Sequence, residues 1–299
     1  MKTVRTVEGL RATLAPARRE QLAIGLVPTM GALHEGHLSL IRHARRRCDL
    51  VVVSLFVNPA QFNERSDLER YPRSEQRDAE LAADAGADIL FAPSVEEVYP
   101  RGFATSVEVL GVTERLEGES RGAEHFRGVS TVVTKLLCMA MPDVAYFGQK
   151  DAQQVLVIRR LAEDLNLAVR IEALPTVRES DGLAMSSRNS LLDPADRARA
   201  LAIPAALRAA ADLADRGERS AAALLDRARV ELRRADVDPE YLVLVDAATL
   251  EPRESLAGEA MVAIAARVGT VRLIDNVLLS GQPADPIQVN GKAIATCSA

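Results

Sequence analysis

The stretch Pro28–His37, PTMGALHEGH, decides how the rest of the chain is read. It follows the apolar run Ile24-Gly25-Leu26-Val27 and leads into Leu38, Leu40 and Ile41, whose spacing suits the buried face of a helix. Three of the chain's four histidines fall between His34 and His43. Where a strand hands over to a helix through a glycine-bearing turn, main-chain N–H groups and the helix dipole favour an anion. Gly31 and Gly36 carry no Cβ to keep a phosphate away. His34 and His37, three residues apart at the helix start, point the same way and can donate N–H bonds to phosphate oxygens. Zinc is the rival ligand. Two histidines without a third, or without a suitably spaced carboxylate, hold zinc poorly, and Glu35 points elsewhere once the segment is helical.

Working outward, short β-rich runs alternate with helical patterns over the first ~175 residues. Strands are expected at Ile24–Val27, Leu50–Val57, Asp88–Phe91, Val144–Phe147 and Val169–Leu174, and helices at Leu38–Arg47, Ser74–Ala85, Val129–Met141 and Ala152–Asn166. Strands apolar on both faces, with helices between them, indicate a doubly wound, Rossmann-like parallel sheet whose ligand lies beyond the strands' carboxyl ends. After about residue 176 the pattern changes. Two helical segments, Pro194–Arg216 and Ser220–Ala235, precede three β-rich runs, EYLVLVDA, AMVAIAARVG and VRLIDNVLL. The expectation is an α/β domain over 1–176 and a smaller α+β domain over 177–299, with a mobile tail from about 282.

The bulk numbers narrow the function. With 299 residues and 48% hydrophobic content the chain can bury a sizeable core. A net charge of −5 argues against a broadly basic nucleic-acid surface while leaving room for one small anionic ligand. The basic run RHARRRC, Arg42–Cys48, reads as a solvated helix face. Cys48, Cys138 and Cys297 are odd in number and form no C-x-x-C, which favours a reducing compartment. The first residues lack the apolar centre of a signal peptide, and Leu50–Val57 is too short to span a bilayer. A soluble cytoplasmic protein is expected, with neither nucleic acid nor membrane as partner.

Further polar clusters follow the other strands. Asn58 and Gln61 in NPAQFN are neutral donor–acceptors suited to a small hydroxylated acid, although Asn58 also suits a turn. In YFGQKDAQQ, Gly148 opens a second turn, Lys150 offers a compact positive charge, and Asp151 suits a helix cap or a ribose. Gln154, one turn inside that helix, faces the same crevice. Ser186, Ser187 and Arg188 in AMSSRN can cradle a triphosphate. Tyr71 is placed to cover the pocket, Arg121 and His125 to flank it, and Asp78 to contact a metal carried by the triphosphate.

H-x-G-H at such a turn resembles the signature of nucleotidylyltransferases and class I aminoacyl-tRNA synthetases. With VPTMGALHEGHLSLI, VNPAQF, YPR, HFRGVSTVVTKLL, FGQKDAQQ, PTVRESDGLAMSSRN and EYLVLVDAATL in this order, the chain resembles the pantoate–β-alanine ligases from about residue 3 to about 280. The resemblance implies ATP-dependent condensation of (R)-pantoate with β-alanine through a pantoyl adenylate, releasing pyrophosphate and then AMP. It also implies Mg²⁺, a homodimer of two-domain subunits and a small domain that closes as a lid. Carried over by position, the ATP site comprises Pro28, Thr29, Met30, Gly31, Ala32, Leu33, His34, Glu35, Gly36 and His37. Gly148, Gln149, Lys150, Asp151, Val177, Met185, Ser186, Ser187 and Arg188 complete it. His37 is the implied proton donor, with His34, Lys150 and Arg188 also catalytic. Gln61 is implied to contact pantoate and β-alanine, and Gln154 pantoate. The chain departs from the usual family pattern at Gln149 and Ala60, which is expected to tune affinity without loss of activity, and at Arg121-Gly122, which bears on the shape of that loop.

Overall fold

Six short runs form one parallel sheet: β1 (Lys2–Val4), β2 (Ile24–Thr29), β3 (Leu50–Leu55), β4 (Ile89–Phe91), β5 (Val144–Gly148) and β6 (Arg170–Leu174). Their order across the sheet is β1-β4-β3-β2-β5-β6. The structure, a computed structural model, describes residues 1–62, 68–69 and 71–281. The expected tail from about 282, Cys297 and Asn63 lie outside the described residues.

Alternate side chains of each strand leave by opposite faces. On β3, Val52 enters one core with Leu10, Leu14, Val132 and Leu136, while Val51 and Val53 enter another with Ile41, Ala44 and Ala82. Helices α1 (Val7–Arg19), α4 (Ala123–Ala140) and α5 (Ala152–Asp164) cover the first face, and α2 (Glu35–Arg47) and α3 (Glu75–Asp84) the second. Two buried faces are why β2, β3 and β5 read as continuous apolar runs.

The second domain begins with α6 (Pro194–Ala200), α7 (Ala202–Asp215) and α8 (Ala221–Arg234). Antiparallel strands β7 (Pro239–Asp246), β8 (Glu259–Val268) and β9 (Val271–Ser280) follow in that order. Leu242, Leu244, Val262 and Ile264 pack with Ile203, Leu207 and Leu224 on one side of this small sheet. Val245, Met261 and Ala263 on the other side join the core of the first domain.

Four details differ from expectation. The edge strand β1 is too short for period-two alternation to show. Helix α1 was not anticipated. Helix α4 starts at Ala123, six residues early, after Gly122 at φ 79°. The segment Pro194–Arg216 is two helices, because Pro204 has no N–H and its ring would clash with the carbonyl four residues back; the chain breaks at Leu201.

In the larger sheet, β2 lies between β3 and β5, so successive connections leave it in opposite directions. That switch point sets the carboxyl ends of β2 and β5, Thr29 and Gly148, beside one crevice.

Candidate active site

The turn after β2 is held from inside its own domain. Gly31 at φ 90° and Ala32 at φ 51° both take the left-handed conformation, which for alanine is strained. Asp78 from α3, only 2% exposed, fixes it: its carboxylate accepts the N–H groups of Ala32 at 2.9 Å and Leu33 at 2.8 Å. A Cβ at residue 31 would lie 2.9 Å from Leu55 Cδ1 and 3.0 Å from that carboxylate, so glycine is required there.

The two histidines then cap their own helix. Gly36 N–H donates to His34 Nδ1 at 3.2 Å, and His34 N–H to His37 Nδ1 at 3.4 Å. With both Nδ1 atoms accepting, each ring carries its proton on Nε2. The rings stack with centroids 4.1 Å apart. Burial, and then the neighbouring His34, push His37 down to about 3. Burial, and then Lys150, lower His34. Both imidazoles are therefore neutral donors. The amides of Gly31, Ala32, Leu33, His34 and Gly36 already have acceptors in the turn or on Asp78, so of the two expected kinds of donor these bonds leave the imidazoles free and not those amides.

Beyond β3, Asn58 is 1% exposed and fully engaged. Its amide donates to Gln61 Oε1 at 3.2 Å and Gly128 O at 3.1 Å, and its Oδ1 accepts from Tyr99 Oη at 2.8 Å and from Ala60 N–H at 3.3 Å. Asn58 thus holds Gln61 and leaves Gln61 Nε2 turned toward Met30. Helix α4 can approach this turn because a Cβ on Gly128 would sit 2.2 Å from Ala60 O. His125 donates from Nδ1 to Gln61 O at 2.8 Å, the opposite tautomer to His34 and His37. Burial, and then Arg121, lower it to about 4.

The turn after β5 has no side-chain cap of its own: neither Gly148 nor Asp151 makes a capping bond. Gly148 sits at φ −87° with open space where a Cβ would go, so its backbone does not need glycine. Lys150 Nζ lies 3.7 Å from Asp151 Oδ1. From the small domain, the Asn276 amide donates to Gln149 O at 2.9 Å and Lys150 O at 3.0 Å. Next to it, Asp275 receives a forked pair from Arg178 at 2.6 and 3.1 Å.

A second contact between domains centres on Glu117, 7% exposed. It receives Arg272 through two bonds of 2.7 and 2.8 Å, Arg121 at 2.8 Å and Tyr241 Oη at 3.0 Å. Burial pushes the Glu117 carboxyl up, but Arg272 and Arg121 pull it down to about 2. Burial and the Glu117 charge raise the Tyr241 phenol. Gln153 anchors the segment before Glu117 by donating to Val112 O and Arg115 O and accepting Glu117 N–H.

These elements enclose a cleft of about 1050 Å³ between the strand ends and the small domain. Pro28, Thr29, Met30, His34, Gly36 and His37 line one wall. Gln61, Tyr71, Arg121 and Gln154 line it too, with Asn58 behind Gln61. Gly148, Lys150, Asp151, Val177 and the loop of Met185, Ser186, Ser187 and Arg188 close it. Burial raises the Tyr71 phenol against the opposing pull of Arg188 and a Ser187 hydrogen bond, which places Tyr71 at that loop.

Some expected residues stand back from the lining. Gly31, Ala32, Leu33 and Gln149 are not among the residues that line the cleft. Glu35 is exposed and paired with Arg42. Asp78, expected at a metal, stands buried with each carboxylate oxygen accepting a main-chain N–H of the turn. Among the described residues no group of three or more His, Cys, Asp or Glu side chains could hold a metal ion. Glu117, Arg272, Asn276 and Gln153 were missed. The available signal was the Asp275-Asn276 pair, two polar residues interrupting the apolar run VRLIDNVLL.

Residues 2–278 match the family model for "Pantoate-beta-alanine ligase". A pantothenate synthetase of Moorella thermoacetica is 52% identical over 280 residues, covering 93% of this chain and 99% of its own. One of Bradyrhizobium diazoefficiens is 53% identical over 284 residues, covering 95% and 100%. The crystal structure of a Thermus thermophilus pantothenate synthetase superposes with a TM-score of 0.87 at 46% identity, over 93% of this chain and 99% of that one. A Francisella tularensis pantoate-beta-alanine ligase, solved with beta-gamma ATP and beta-alanine, gives 0.76 at 35% identity, over 93% and 97%.

Proposed function

The chain belongs to the pantoate–β-alanine ligase family, and we propose that it makes pantothenate through a pantoyl adenylate. In the first half-reaction a pantoate carboxylate oxygen attacks the α-phosphorus of ATP, the bond to the bridging oxygen breaks, and pyrophosphate leaves. In the second, the free amine of β-alanine attacks the acyl carbon, the acyl–oxygen bond breaks, AMP leaves, and the amine gives up a proton.

The observation that carries this reading is the pairing of two neutral imidazoles, whose Nδ1 atoms accept and so leave the proton on Nε2, with Lys150 and Arg188 around one cleft. A carboxylate nearing a polyphosphate meets like charge, so the site must offer donors and positive charge where charge builds up. His37 and His34 supply neutral donors at the attacked phosphate, and Lys150 and Arg188 supply the charge. Gln61, oriented by Asn58, and Gln154 present amides to the small acid. Ser186, Ser187 and Met185 stand on the small-domain side of the nucleotide, with Tyr71 bridging to them.

Mg²⁺ would be carried chiefly by the triphosphate oxygens and would neutralise part of that charge. We set the domain border at 176/177, and read the small domain as the lid that keeps water from the adenylate. No helix among the described residues is long and apolar enough to cross a membrane. A homodimer acting in the cytoplasm completes the reading. Incubation with ATP, Mg²⁺ and pantoate, with and without β-alanine, tests it: pyrophosphate should appear with pantoate alone, and AMP in step with pantothenate only after β-alanine is added. AMP release that never requires β-alanine would overturn it.

A further inference from the structure

Lys150 sits on a turn that lacks a cap, and a residue from the other domain holds that turn. Asn276, on β9, is 7% exposed and donates both amide hydrogens to the successive carbonyls of Gln149 and Lys150, at 2.9 and 3.0 Å. Carbonyls can only accept, so the amide can face the turn one way only, with Nδ2 toward it. The opposite atom, Oδ1, is buried without a hydrogen-bond partner. What the amide contributes here is therefore its two donated bonds to the turn. The adjacent Asp275 is clamped by Arg178 at the segment joining the domains, which fixes the register of β9 against the turn.

We propose that Asn276 is a positioning residue for the adenylation step: by holding the main chain at 149–150 it sets Lys150 Nζ against the reacting phosphates, and it makes that placement depend on the small domain being docked. The inference rests on the role given to Lys150 in the reading above. Acting through another side chain, Asn276 contributes orientation, a component of rate sensitive to shifts below 1 Å.

The test is pantoate-dependent ATP–pyrophosphate exchange by the full chain. Asn276→Ala should lower kcat by about tenfold with the KM for pantoate unchanged. Asn276→Asp keeps the shape but loses the donors, and should lose at least as much. Thermal unfolding of both variants verifies that they are folded. In a Lys150→Ala background, Asn276→Asp should cost less than about twofold, as residues acting as one unit are not additive. A wild-type rate in Asn276→Asp, or an equal loss in both backgrounds, overturns this inference alone. A wild-type rate in Lys150→Ala overturns the role of Lys150 and this inference with it.

Discussion

The two strand-to-helix turns at the switch point do the same geometric job by different means. The turn after β2 is held within its own domain: Asp78 pins its strained main chain, and His34 and His37 together cap the helix they begin. The turn after β5 has no such cap and borrows its restraint from Asn276 across the domain boundary. One half of the cleft is therefore held by residues of its own domain, and the other half by a residue of the small domain. Under the proposed adenylate mechanism, that division makes full electrostatic competence coincide with closure of the small domain.

The largest effects should come from breaking the self-contained half. His37→Ala removes the donor proposed for the attacked phosphate and should lower the exchange rate by about 10²–10³, the usual cost of one transition-state donor. An unchanged rate would reject the histidine turn as the reacting centre. The borrowed half should respond through stability. Glu117→Ala strips a carboxylate from Arg272, Arg121 and Tyr241 at the domain contact, and breaking such a buried pair costs about 3 kcal/mol. Urea unfolding should show that loss, and if the domains separate the transition should split in two. A loss below about 1 kcal/mol would mean the contact is solvated and does not hold the small domain in place.

The same contrast explains what was legible in the sequence. The self-contained turn could be read because its residues are close together: glycines, histidines and the helix start all lie within PTMGALHEGH. The apolar strands and the switch-point class followed from strands apolar on both faces. The borrowed half could not be read, because Asn276 and Lys150 are 126 positions apart and no local pattern joins them. Asp78 misled for a related reason. A lone acidic residue on a helix looks solvent-facing, and only the packed structure shows it turned inward onto two main-chain N–H groups. The capping roles of the histidines were hidden too: the turn suggested amides and imidazoles both open to an anion, whereas those side chains and Asp78 occupy the amides of Ala32, Leu33, His34 and Gly36.

A gentler change separates positioning from stability within the self-contained half. Gly36 lies in the first turn of α2, and a Cβ there would come within 2.9 Å of the His34 ring. Gly36→Ala should improve helix propensity by up to about 1 kcal/mol while displacing the imidazole. The expected outcome is a thermal midpoint unchanged or raised, with exchange down by about tenfold, as for a misplaced catalytic group. A rate loss matched by a fall in the midpoint would instead indicate general disruption of the turn.

The smallest expected effect is a pH dependence that fails to appear. His37 is held at about 3, first by burial and then by His34, against 6.5 in the unfolded chain. The unfolded state therefore binds more protons between those values, so stability should fall as pH drops from 6.5 toward 3, and His125, at about 4, adds in the same sense. Activity should behave differently. A neutral Nε2–H donor is present at every pH above that range, so the ratio of wild-type to His37→Ala exchange rates should stay within about twofold between about pH 6 and about pH 8. Were the imidazolium the working form, the ratio would climb severalfold on acidification through about 6.5, and the picture of a turn that pre-sets neutral donors, leaving positive charge to the residues around Lys150, would give way to one in which the histidines carry charge themselves.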